Sequence, residues 1–342
     1  MTVMEINDLL QTAGTDNFTI FDGLVKANSV INDPAYNTII CSISGGSDSD
    51  IVLDICHKLD RDKKIIYAWF DTGLEYQATK DHLNFLEAKY GITIQREKAI
   101  KPIPTSCRTY GQPFLSKQVS EFMSRLQRHN FQWEDEPFEI LIKKYPNCKS
   151  ALEWWCDTKE SNQAFGIERN KYLKEFIVQN PPTFKIGQKC CTYAKKNVSK
   201  ELLKRYDADL IITGIRRSEG GARSFAYKSC FSSNCDTADQ YRPIFWYTDE
   251  DKREYEKIFG ITHSGCYTKY GLTRTGCAGC PYNREIDEEI RIIGDHEPKL
   301  FKAVNKIFAD SYEYTNKYRE FRAMRGEKEL DNGQMDIFDY LK

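Results

Sequence analysis

Net charge is almost absent from this 342-residue chain, in which 49 Lys and Arg stand against 50 Asp and Glu. That balance excludes a global field able to draw the protein onto nucleic acid or a membrane surface, so anion binding must come from local clusters. Long apolar runs are lacking too, none approaching the roughly 20 residues that cross a bilayer. Met1 to Gln11 carries no charged segment followed by an apolar core, and the expectation is a cytoplasmic protein with no membrane partner. The pattern Gly-x-x-x-x-Gly-Lys-Ser/Thr is missing, which excludes the Walker form of phosphate binding.

What is present argues for a large folded enzyme. The length allows one large or two medium domains with a substantial core, and 20 Tyr and 19 Phe argue against extensive disorder. Twelve cysteines in a reducing compartment read as metal ligands or redox thiols before disulfides. Cys41 and Cys56 read as small apolar core residues, as do Cys107, Cys148 and Cys156.

The stretch around which the chain is organised is Thr38 to Ser49, Thr-Ile-Ile-Cys-Ser-Ile-Ser-Gly-Gly-Ser-Asp-Ser. Ile39, Ile40 and Ile43 suit a buried parallel strand, and Ser47-Asp48-Ser49 suit the start of a helix whose free N–H groups hold an anion. Gly45 and Gly46 let backbone approach phosphate oxygens without a Cβ in the way. A second apolar run, Lys64 to Phe70, ends in Asp71-Thr72-Gly73-Leu74-Glu75-Tyr76. Two such loops at the carboxyl ends of neighbouring parallel strands are where a doubly wound sheet takes nucleotide.

The rest divides by pattern. Residues 1–35 read as a leading helical region; 36–100 and 186–245 as a nucleotide-binding α/β domain; 101–185 as a helical insertion opened by the breaks Pro102 and Pro104; 246–321 as a cysteine-cluster and C-terminal helical region; and 322–342 as a tail. The fold class is α/β, with a doubly wound, mostly parallel sheet. The strand Leu210 to Ile215 runs into Gly214-Ile215-Arg216-Arg217-Ser218-Glu219-Gly220-Gly221-Ala222-Arg223, a glycine-rich loop whose arginine forks suit phosphate or sulfate. Cys190-Cys191 precedes this strand and Cys277-Ala-Gly-Cys280 follows it, with 85 residues between Cys191 and Cys277 (277 − 191 − 1). Two residues between cysteines bring both sulfurs to one metal site.

Taken together these motifs carry a family resemblance. Ser44-Gly45-Gly46-Ser47-Asp48-Ser49 resembles the pyrophosphate-binding loop of the adenine nucleotide α-hydrolases, a Rossmann-like superfamily that cuts ATP between its α and β phosphates. The Asp71-Thr72-Gly73 stretch, the Gly214-x-Arg216 stretch with a later Arg223, and the cysteine pattern resemble its PAPS/APS reductase branch, whose APS reductases hold a 4Fe-4S cluster. The resemblance covers roughly residues 36 to 285. It implies nucleotide binding by Ser44 to Ser49, Asp71 to Gly73, Gly214 and Arg216; catalytic roles for Asp48, Arg216 and Arg223; Mg²⁺ with ATP; and cluster ligation by Cys190, Cys191, Cys277 and Cys280. A three-cysteine cluster, with Cys266, Cys230 or Cys235 as substitute ligand or sulfur carrier, stays open beside it.

Sulfonucleotide reductases of this branch carry a further nucleophilic cysteine in a tail, whereas no cysteine follows Cys280 here. The resemblance therefore points first to an adenylating, pyrophosphate-releasing sulfurtransferase similar to the tRNA-thiolating and DNA-phosphorothioating members, fed by a sulfur donor such as a cysteine desulfurase. A divergent PAPS or APS reductase is the alternative, and a non-catalytic nucleotide-binding subunit the third. Gln334-Met-Asp-Ile337-Phe338 resembles the short peptide by which DNA-associated proteins dock on the bacterial sliding clamp.

Overall fold

The computed structural model describes residues 1–158, 165–220, 226–233 and 237–326. The chain divides into two compact units: Met1–Ile100 with Ala194–Gly276, and Lys101–Tyr193 with the chain from Cys277 onward.

The first unit is built on one six-stranded sheet. Its strands are β1 (Ile39–Ser42), β2 (Ile65–Asp71), β3 (Ile94–Lys98), β4 (Leu210–Thr213), β5 (Phe231–Ser232) and β6 (Asp239–Tyr241). Their spatial order is β3-β2-β1-β4-β6-β5, all parallel except β5, which pairs antiparallel with β6. β1 lies between β2 and β4, with Ile39 opposite both Ile65 and Leu210. Ile39, Ile40 and Cys41 are fully buried because helices cover both faces of the sheet. Ile39 and Cys41 pack with the helices Phe18–Ile31 and Ser47–Leu59, while Ile40 joins Leu202 and Leu203 of the helix Asn197–Arg205 on the opposite face.

The chain moves outward from β1 to β2 and β3, then returns to place β4 on the other side of β1. The carboxyl ends of β1 and β4 therefore form the topological switch point, where an open parallel sheet leaves a crevice. The helix after β1 suits its position: it has Asp48 and Asp50 in the first turn and His57 and Lys58 in the last, both complementary to the helix dipole. Its face of Ile51, Val52, Ile55, Cys56 and Leu59 is buried. The helix Gln77–Tyr90 ends on Gly91 in the left-handed region, and Asp249–Phe259 opens with a capping box between Thr248 and Asp251.

The second unit is helical, with an aromatic core. Trp154 and Trp155 are fully buried, Trp154 stacked on Phe122 with ring centroids 5.3 Å apart, and Phe176 lies among Tyr314, Tyr318 and Phe321. Pro104 does not break the chain: it sits in the first turn of the helix Ile103–Tyr110, where its missing N–H has no intrahelical partner to lose. The short strands β5 and β6 escape sequence reading because two or three residues are too few to show an alternation.

Gly214, directly after β4, is a tight backbone joint of the first unit. A Cβ there would lie 3.0 Å from the Asp48 carbonyl oxygen and 3.2 Å from the Ser49 nitrogen, both held in helix backbone. We predict that Gly214→Ala destabilises the protein by about 1–3 kcal/mol through overpacking. Urea denaturation checks it, and an unchanged midpoint would contradict it.

Candidate functional site

The loop between β1 and its helix is shaped by its glycines. Gly45 has φ +73°, and a Cβ there would stand 2.6 Å from Thr79 Cγ2. Gly46 caps the helix with no side-chain hydrogen bond, so the first turn lacks the usual Ser or Asp cap. Inside the loop the Gly46 N–H donates to Ser44 Oγ at 3.2 Å, and Ser49 Oγ donates to the Gly46 carbonyl at 2.7 Å. The Ser47 N–H meets the Tyr267 hydroxyl at 3.2 Å, and that hydroxyl lies 2.9 Å from Thr275 Oγ1.

Asp48 is the electrostatic hub. Its Oδ1 takes Arg216 Nε at 3.1 Å and Lys252 Nζ at 2.8 Å. Lys252 also donates to Ser47 Oγ at 2.6 Å. The Arg216 guanidinium continues to Asp249 at 2.7 Å and Ser218 Oγ at 2.9 Å. Burial pushes the Asp48 carboxyl up, but a hydrogen bond with Glu219 and the charges of Lys252 and Arg216 outweigh it and hold Asp48 below the usual carboxylate range. Glu219 is exposed as a residue, yet its carboxyl is crowded on the Asp48 side. Desolvation, then the hydrogen bond and charge of Asp48, push it up to about 7 against the pull of Arg274 and Arg216.

The second expected loop lies at the end of β2. Gly73 has φ +85° and donates its N–H to Asp71 Oδ1 at 2.9 Å, an Asx turn. Thr72 is buried and donates to Glu75 at 2.5 Å, and burial pushes Glu75 above the usual range. β1, β2 and β4 are neighbours, so Ser44–Ser49, Asp71–Gly73 and Gly214–Arg216 follow the same ends of three adjacent strands. Arg223 lies outside the described residues, as do Cys235, Gln334, Ile337 and Phe338.

Sequence reasoning missed Lys252, although a lysine in the first turn of a helix opposes the dipole and so marks a position with another purpose. It also missed a charged layer behind the loop. Asp50 is buried and meets His82 Nε2 at 3.0 Å and His263 Nδ1 at 2.8 Å, and His263 Nε2 faces Glu256 at 2.9 Å. Burial alone would lower His263, but its hydrogen bonds with Asp50 and Glu256 and their charges raise it to about 9.

In the second unit Cys190 is buried, and Cys191, Cys277 and Cys280 are partly exposed. They are electrostatic neighbours: Cys280 acts on Cys190, and Cys191 and Cys277 act on Cys280. The Cys190 thiol is pushed up chiefly by a hydrogen bond with Cys107, and Cys280 chiefly by burial. The turn carrying Cys277 and Cys280 is clamped from both sides. The Gly279 N–H donates to Glu289 Oε1 at 3.1 Å, and the Tyr312 hydroxyl donates to the Gly279 carbonyl. Gly279 has φ +63°, and a Cβ there would lie 2.8 Å from Val304 Cβ. Among the described residues no group of three or more His, Cys, Asp or Glu closes as one metal ion requires. The donor chemistry nevertheless suits a thiophilic cationic group, because such a charge would stabilise thiolates that crowd one another as neutral thiols.

A mostly parallel sheet carries an uncapped Gly-Gly loop at its switch point, and part of the chain matches one family model. Residues 127–283 match the phosphoadenosine phosphosulfate reductase domain, a span that holds β4, the arginine loop and both cysteine pairs while the Ser44–Ser49 loop precedes it. A protein of Escherichia phage 186, known as the uncharacterized 37.8 kDa protein in the gpa 5′ region, is 24% identical over 277 residues, 78% of this chain and 72% of the relative. Among solved structures, the phosphate complex of phosphoadenylyl-sulfate reductase from Candida auris is 14% identical with a TM-score of 0.39, over 81% of this chain and 96% of that one. A tRNA thiolase with a [4Fe-4S] cluster from Methanococcus maripaludis is 10% identical with a TM-score of 0.36, over 92% and 82%. An NH3-dependent NAD synthetase from Campylobacter jejuni is 11% identical with a TM-score of 0.36, over 96% and 98%. No helix among the described residues is long and apolar enough to cross a membrane.

The His263 cluster generates a pH prediction. A histidine raised from 6.5 to about 9 in the folded state contributes stability that is full below pH 6.5 and is lost as pH rises through about 9. The urea midpoint of the wild type is predicted to fall over that window. His263→Gln should flatten the fall, and equal slopes for the two proteins would refute it.

Proposed function

We propose that the chain is an ATP-dependent, adenylating and pyrophosphate-releasing sulfurtransferase. The observation that carries this reading is the pairing of an uncapped, glycine-built helix start with the Asp48, Arg216 and Lys252 cluster beside it. The dipole at such a helix start favours an anion, and two cations already lie at its first turn. The loop amides of Gly45 to Ser49 would hold the β and γ phosphates. Asp71 to Gly73 and Gly214 would border the nucleotide. Asp48 and Glu219 would hold Mg²⁺, whose charge would favour ionisation of a Glu219 now pushed up to about 7.

In the reaction an acceptor oxygen attacks the α phosphorus, that P–O bond forms, and the bond to the β phosphate breaks to release pyrophosphate. A sulfur nucleophile then displaces AMP from the adenylated acceptor. Arg216, with Arg223, would offset charge that develops at the α phosphate, while Lys252 steadies Asp48 and Ser47. Cys190, Cys191, Cys277 and Cys280 would hold a 4Fe-4S cluster, which when bound supplies thiophilic iron for the sulfur chemistry. The acceptor class is nucleic acid, as tRNA thiolation or DNA phosphorothioation, and a cysteine desulfurase would supply the sulfur.

A second reading, a divergent PAPS or APS reductase, draws support from the domain match over residues 127–283. It lacks an evident nucleophile, since no cysteine follows Cys280 and the upstream Cys266 is fully buried against Thr79.

Anaerobic protein incubated with α-labelled ATP, Mg²⁺ and acceptor nucleic acid is expected to release AMP and pyrophosphate, and Arg216→Met to lower that rate about 10²-fold. Sulfite from PAPS or APS with a thiol reductant, in place of AMP, would overturn the assignment in favour of the reductase. Neither product would leave a nucleotide-binding subunit without turnover. Iron content and the anaerobic absorption spectrum test the cluster separately: both are expected to fall in Cys190→Ser.

A further inference from the structure

Cys107 reads from the sequence as an ordinary core thiol, but the second unit is built to hold it against Cys190. The segment after the Ile103–Tyr110 helix is stitched to the segment before Lys189–Cys191 by a parallel bridge of Gln112 to Ile186. In it the Gln112 N–H donates to the Lys185 carbonyl at 2.8 Å and the Gly187 N–H to the Gln112 carbonyl at 2.9 Å. Glycine is required on both sides. Gly111 has φ +102°, with a would-be Cβ 2.5 Å from the Lys185 carbonyl, and a Cβ at Gly187 would strike the Tyr110 carbonyl.

Beside the bridge the two short helices pack against each other. Tyr110 stacks on Tyr193 with centroids 5.1 Å apart, and Lys101 Nζ lies 4.8 Å and 5.0 Å from the two rings. Three residues back on each strand of this pairing, one helical turn away, stand Cys107 and Cys190. Both are buried and outside any disulfide, and Cys107 is the chief influence that pushes the Cys190 thiol up. Two buried thiols at matching positions on adjoining helices fixed by a backbone bridge are placed for a disulfide.

We propose that Cys107 and Cys190 form a reversible disulfide, a redox pair built into the thiol pocket. With a peroxide as oxidant, the Cys107 and Cys190 thiols are oxidised to one S–S bond, giving up two protons and two electrons, and the peroxide is reduced to two waters. A dithiol reductant reverses the step by exchange. Its consequence rests on the metal role proposed above for Cys190: the oxidised pair withdraws one ligand from the group.

The test uses the full-length wild type, oxidised with graded hydrogen peroxide, alkylated and mapped by mass spectrometry, with iron content measured in parallel after anaerobic loading. The expected result is that the Cys107–Cys190 crosslink forms at the lowest peroxide dose, before Cys190–Cys191 or Cys277–Cys280, and disappears on reduction. A different first crosslink, or none, overturns the proposal. Iron uptake that is blocked in oxidised wild type, restored by reductant and insensitive to peroxide in Cys107→Ser supports the withdrawal. Equal iron loss in unoxidised Cys107→Ser would make Cys107 a ligand and overturn the redox role. A wild type that crosslinks as expected but never takes up iron supports the pair while refuting the cluster.

Discussion

The carboxylate of Asp48 is the constraint on which the first unit's chemistry depends. It sits one residue past the start of the β1 helix, and its ion pairs draw in Arg216 from the loop after β4 and Lys252 from the helix Asp249–Phe259. Three segments far apart in the chain thereby meet at one helix start. An ion pair of this kind contributes little where water screens it, but these partners are largely buried. Removal of one partner would leave the others with uncompensated charge. The arrangement places both signs of charge at one helix start, the basis of the nucleotide and Mg²⁺ roles proposed for it.

The layer behind that hub has a different character. Asp50 points inward from the same helix turn and takes two histidines, so the start of the helix has one acidic residue facing the loop's cations and one fixed in the interior. The inward carboxylate fixes the helix from which both project. The second unit applies the same economy to sulfur. Glu289 and Tyr312 hold the backbone of the Cys277–Cys280 turn by its N–H and C=O, which fixes the turn through contacts to backbone.

Much of this was legible in the sequence. The strand and helix around Gly45 and Gly46 declare themselves by a buried apolar run, a glycine pair and an acidic first turn, signals that lie within twelve residues of one another. The parallel sheet follows from the alternation of such units. Lys252, His82, His263 and Cys107 were not legible, since each acquires its role only from a partner 32 to 213 residues away. The Cys107 pairing depends on a bridge between Gln112 and Ile186 that no local pattern announces. Pro104 misled for a related reason: proline breaks a helix interior yet suits a helix start, and which of these applies depends on where the chain goes next.

The central claim is that the Gly45–Ser49 loop is a triphosphate cradle, and the most direct measurement is a crystal structure with Mg²⁺ and an ATP analogue that cannot be cleaved between its α and β phosphates. The account predicts the β and γ phosphates on the backbone N–H groups of that loop, with the metal on Asp48. Phosphates bound elsewhere, with the loop unchanged and Asp48 still closed on Arg216 and Lys252, would contradict it.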